Sequence, residues 1–232
     1  MTRNFRNVFN TVSGVFSRPG STLAAAAREK RFTTAMLILL LVVAVCTWIS
    51  APMQMERSRV ILEDSPLSQY LDGDGINLSI RGWQRAAVSA WAALMSLLAV
   101  VIVAFLLYLF YGVAGVEGQY SHFFALTINA ALIGTVLPRI LLTLGIALGW
   151  PLFSWISPGE WARQAGLSGA LVSILGQMDL FTLWFVIVIS LGVHAWSGIR
   201  LRRSVGVAVG YLVFKSVVLG LLGYFGSRML TG

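Results

Sequence analysis

The stretch Phe123–Trp150 reads FFALTINAALIGTVLPRILLTLGIALGW, and its reading decides the fold. It is almost wholly apolar and too long for an ordinary core helix; about 20 such residues are enough to cross the hydrocarbon of a bilayer. Near its middle stand Pro138 and Arg139, a helix breaker beside a permanent cation. Proline removes one backbone hydrogen bond and tends to kink a helix. A cation inside an apolar run is costly, so it is paired, near an interface, or functional. At 1.5 Å per residue Arg139 lies roughly 25 Å from the start of the helix, within snorkelling reach of the far boundary. The apolar residues after it either finish the crossing at a tilt or turn back as a re-entrant piece.

Composition places the rest of the chain around this span. Of 232 residues, 57% are hydrophobic and 11% charged, and the mean hydropathy is +0.81. A soluble domain holds about 25% charged residues, so the chain reads as an integral membrane protein. Its apolar runs are continuous rather than alternating, which argues for helices and against an outer-membrane barrel. The expected fold is all-α: a polytopic membrane helical bundle with five transmembrane helices and short interfacial helices. The net charge of +8 does not point to nucleic acid, because the basic residues flank apolar runs. There they orient the chain and meet anionic lipid headgroups. The single cysteine, Cys46, excludes an intrachain disulfide.

The spans fall at about residues 33–53, 86–111, 123–150, 180–199 and 205–226, forming one membrane domain over 33–232 behind a basic segment, 1–32. About thirty residues precede the first apolar run, so this segment is not read as a signal peptide. In it Phe5, Val8, Phe9, Val12, Val15 and Phe16 share a helical face. Such a helix lies in the membrane interface or packs on the bundle's own face. Arg18-Pro19-Gly20 breaks it, and Ser21 or Thr22 is placed to cap a second short helix. The polar segment 54–85 contains Asp72-Gly73-Asp74-Gly75-Ile76-Asn77, the first half of a calcium loop. Trp83 stands at the twelfth position, where an EF-hand needs glutamate, so turns are the better reading. Ser157-Pro158-Gly159-Glu160 has capping-box spacing, and the apolar residues after it predict a helix along the membrane surface. With the N-terminus cytoplasmic, nine Lys and Arg lie inside and six outside, which favours N-in and C-out in a cell inner membrane.

Few residues carry chemistry. Gly145 and Gly149, and Gly206 and Gly210, are spaced to let helices approach closely or to form a homo-oligomer contact. Lys215, about ten residues into the fifth span, must snorkel, find an acid or lose its proton. The acids nearest in depth are Glu117 and Asp179, at opposite edges. Lys215 and Arg139 therefore either pair with edge carboxylates and hold the bundle together, or meet an anionic headgroup or substrate. Ser190, His194 and Ser197 share one helix face, but neighbours on one helix do not form a nucleophile–base pair, and no acid is near. His194 reads as an interhelical hydrogen bonder. His122 sits at a span end. Two separated histidines and one cysteine make no metal or haem site, so neither an enzyme nor a cofactor is expected.

The layout resembles the YIP1 family of five-span membrane proteins. The resemblance rests on Arg18-Pro19-Gly20-Ser21-Thr22 after an amphipathic N-terminus, Gly118-Gln119-Tyr120-Ser121 before the third span, and Val136-Leu137-Pro138 within it. Trp196-Ser197-Gly198-Ile199-Arg200 after the fourth span and a glycine-rich fifth complete it. Arg139 and the long segment 54–85 have no counterpart in that pattern. The resemblance implies a non-enzymatic membrane component that works through protein partners, an accessory or scaffold of a transport complex such as an ABC-type exporter. The alternative is a protein that handles lipid or a small solute through its intramembrane cations.

Overall fold

In a lipid interior every backbone N–H and C=O must find its partner within the protein, so apolar runs of this length fold as helices. The structure, a computed structural model, describes residues 13–63, 82–148, 158–167 and 169–231. Phe5, Val8, Phe9, Val12, the Asp72–Asn77 loop, Gly149 and Ser157 lie outside them. Five helical stretches are long and apolar enough to cross a membrane: Thr33–Gln54, Gly82–Val113, Tyr120–Ala147, Leu180–Ser197 and Leu201–Phe225. The protein is a multi-pass helical membrane bundle.

In chain order, α1 is Pro19–Arg28, α2 Thr33–Glu63, and α3 Gly82–Val113. The third span is α4 (Tyr120–Ala131), a π-turn (Leu132–Val136) and α5 (Leu137–Ala147). Then come the short α6 (Pro158–Gln164) and α7 (Ala170–Leu175), followed by α8 (Leu180–Ser197) and α9 (Leu201–Thr231). The first span ends at Gln54 and the fifth at Phe225, each within a residue of expectation. The helix that carries the first span continues beyond it, through Pro52 to Glu63, with α3 packed along it. A proline costs one ladder bond, which a long helix with a neighbour can absorb. The fifth helix begins at Leu201, inside the basic cluster. Gly198 closes α8 in the left-handed region (φ 74°), a conformation glycine adopts without penalty, and the chain re-enters helix three residues later.

The third span is one continuous helical run, long enough to cross a membrane. Instead of turning back at Pro138, the helix widens into the π-turn, where the Leu137 N–H reaches the Leu132 carbonyl, and then continues along α2. This span is the centre of the bundle: α4 touches α1, α2, α3 and α8. Residues 125–133 are buried on every side, as expected for a helix that is apolar all round.

Lipid tails are as apolar as leucine, so close packing and hydrogen bonds hold such helices together. The Tyr111 hydroxyl donates to the Ser204 carbonyl (2.9 Å), and the Ser204 hydroxyl donates to the Ser190 carbonyl (2.9 Å), tying α3, α8 and α9 together. Asn129 donates to the carbonyls of Arg31 (2.9 Å) and Ala125 (2.8 Å), fixing the entry to α2 against α4.

Of the two readings of the N-terminal segment, the described part takes the second. Val15, Leu23 and Ala27 are fully buried, and α1 lies between α8 and α4. Pro19 opens α1 at its first turn, and the Ser21 hydroxyl donates back to the Arg18 carbonyl instead of capping. Proline suits that position because its missing N–H would have no partner there. The packing glycines are not those expected from spacing. Gly145 is buried, but Gly206 and Gly210 face open space. Close approach occurs at Gly192, where a Cβ would stand 2.9 Å from Leu23 and 3.0 Å from Leu126, and at Gly220, 2.7 Å from the Ile174 Cα. Gly192→Val should therefore loosen α1 at a cost of about 1–3 kcal/mol. Limited proteolysis in nanodiscs should cut before residue 32 faster, and adding Leu23→Ala should restore protection.

Candidate functional site, a lysine-bearing cavity

The polar residues singled out in the sequence divide between the two ends of the bundle. The near end is where α1 docks, α3 and α8 finish, and α4 and α9 begin. There an exposed cleft of about 1010 Å3 runs between the α3–α4 and α8–α9 links, lined by Glu117, Trp196, Arg200, Arg202 and Arg203. Arg31 pairs with Glu29, and Glu117 makes no ion pair with a described cation. His194 is not an interhelical bonder. Its Nδ1 lies 2.6 Å from the Ile199 carbonyl, in the link just past its own helix, so that nitrogen carries the hydrogen. His122 accepts from the Gln119 N–H (3.1 Å) and lies over the Trp196 ring (centroids 5.0 Å apart), fastening the start of α4 to the end of α8. Arg28 donates to the Ala195 carbonyl (3.3 Å) and Lys30 to the Gln119 side chain (2.8 Å), which pins α1 there.

At the far end Asp179 is the N-cap of α8, accepting from the Thr182 N–H (2.6 Å). This cap satisfies one of the four orphan donors of the helix start. Neither Arg139 nor Lys215 forms an ion pair with a described carboxylate. Asp179 is the acid whose charge reaches Lys215, without contact. The two intramembrane cations are not brought together either: Lys215 lines an internal cavity and Arg139 does not.

The cavity measures about 450 Å3 and lies among α3, the third span, α8 and α9. Its position follows from the π-turn. A π-turn holds more residues than an α-turn and bulges the helix, often at functional sites. Here the bulge presents Gly134 and Thr135 to the cavity, and Phe185 packs its Cβ at 3.0 Å from where a Gly134 side chain would begin. Ser96, Thr182, Tyr211 and Lys215 contribute from the other helices. Lys215 and Tyr211 share this face, as their four-residue spacing requires. Lys215 is half-buried and 14 residues into α9, roughly 21 Å from the helix start. Pockets of this size, mostly apolar with a few placed polar groups, are characteristic of small-ligand sites. The cavity was invisible in the sequence, because four helices far apart in the chain build it. The depth of Lys215 was the only signal.

Ser190 and Ser197 donate to the carbonyls of Val186 and Val193 (2.7 Å each), four residues back on their own helix, so neither hydroxyl is presented as a nucleophile. Among the described residues no three His, Cys, Asp or Glu side chains gather. No family model, curated protein or solved structure matches the chain.

A lone ammonium at this depth costs about 2.5–3.5 kcal/mol on insertion scales. Lys215→Met removes that charge at similar length, so it should leave the bundle as stable or stabilise it by about 1–3 kcal/mol. Reversible unfolding in mixed micelles measures this. A loss of stability would instead make Lys215 a structural tie.

Proposed function

We propose that the protein acts by binding rather than by catalysis, as a membrane component that holds an anionic lipid or small anionic solute inside its bundle. One observation carries this reading: a lysine that contacts no acid lines an apolar cavity deep in the membrane. Intramembrane ionisable groups are costly and are retained where they meet a ligand, an ion or a partner. The site lies in a cell inner membrane, with the N-terminus cytoplasmic and the C-terminus outside. The excess of basic residues on the near side supports that orientation, and reporters fused to the two ends should register opposite compartments.

A second reading, an accessory or scaffold of a transport complex of the YIP1-like kind, draws on the outer face of α3. Trp91, Leu94, Leu98, Phe105 and Leu109 form an exposed apolar stripe at helical spacing, on the least buried of the five spans. Such a stripe suits a neighbouring helix from another membrane protein, an exporter subunit or a second copy. The two readings concern different faces and do not exclude each other.

Native mass spectrometry of the full chain from mild detergent tests the first. An anionic adduct should be retained by wild type and by Arg139→Gln, and lost from Lys215→Gln. Retention of the adduct by Lys215→Gln, or a bare wild-type chain, would contradict it.

A further inference from the structure

The cavity carries polar side chains along its length: Ser96, Thr127, Thr135, Thr182, Tyr211 and Lys215 stand among apolar residues from all four helices. The near end is sealed. Phe110 packs edge-on against Tyr211 (6.1 Å between centroids) and against Phe214 (5.6 Å), beside the Tyr111–Ser204 bond. Beyond that seal α3 and α9 leave the cavity open to the side: the lining residues Ile102 and Leu219 remain 50% and 41% exposed. A volume of about 450 Å3 lies at the small end of the range for ligand pockets, about 300–1,000 Å3, which suits one acyl chain better than two. The Asp179 carboxylate accepts from the Thr182 N–H at the α8 cap and makes no ion pair with Lys215, so the Nζ is left for a ligand. In a low dielectric that charge strongly favours an acidic group over a neutral one.

We propose that the cavity takes a single-chain amphiphile with one acidic head, carboxylate or phosphate. It enters through the lateral opening between α3 and α9, its head at Lys215 and its chain among the apolar lining residues of those two helices. This rests on the binding function proposed above and narrows it to one ligand class.

The test uses the full chain in phosphatidylcholine nanodiscs and a diazirine-bearing palmitate as photoprobe, with adducts located by peptide mass spectrometry. Adducts should fall within residues 96–106 and 211–219. Palmitate and lysophosphatidate should displace the probe, the tighter of the two identifying the head, while hexadecanol should not. Lys215→Gln, which removes the charge, and Ala99→Phe, which puts a ring in the opening, should each lower labelling about tenfold or more, with thermal unfolding as in wild type. If dioleoylphosphatidylglycerol or inorganic phosphate displaces the probe as well as palmitate does, and Lys215 is still required, the single-chain claim fails while an anion site stands. Labelling spread over the lipid-facing surface and indifferent to Lys215→Gln overturns both.

Discussion

A proline in a membrane-spanning helix takes a donor out of a ladder that lipid cannot repair, and the architecture depends on how this chain meets that constraint. Pro138 lacks the N–H that an unbroken α-helix would aim at the carbonyl of Gly134. The turn just before it is already wide, with Leu137 donating to Leu132, so the interruption falls where the helix has changed its period. The third span therefore continues, and its second half packs along α2. A broken helix in its place would have left backbone groups facing hydrocarbon.

The wide turn has a second consequence. It bulges toward α8 at a glycine, where the Phe185 side chain lies against the backbone, and the helices around it do not close over the gap. What holds the frame while this interior stays open is polar and steric, not simply greasy. The Tyr111–Ser204–Ser190 relay clamps three helices at the near end, and α1 wedges Leu23 between α8 and α4 where Gly192 makes room. The near end is tied in this way, and Lys215 lines the cavity one residue beyond the Phe110–Phe214 contact.

Much of this was legible from residue order alone, for a physical reason. Twenty apolar residues have few options in a bilayer, so the five spans and the all-helical class follow from hydropathy. Relations between helices were less legible. Spacing nominated Gly206 and Gly210 for packing, yet both face open space, because a four-residue repeat marks a face without saying what faces it. Gly192 and Gly220, with no such signature, are where other helices come close. Of the two readings of Arg139 and Lys215, direct pairing with an edge carboxylate is not made: Asp179 accepts at its own helix cap and Glu117 lies in an exposed cleft at the other end. The helices α2 and α9 run on beyond the spans they carry, to Glu63 and Thr231, since charge and proline are tolerated where a helix leaves the hydrocarbon or has a neighbour beside it.

The continuity of the third span is the claim on which the cavity, the depth of its lysine and the clamped frame all depend. Spin labels at Ser121 and Ala147, in a Cys46→Ala background and in nanodiscs, measure it directly by electron–electron double resonance. A helix that runs on through the wide turn places the labels about 40 Å apart, at 1.5 Å for each of the residues between them. A distance below about 25 Å would mean that the chain doubles back at Pro138 and would contradict the account.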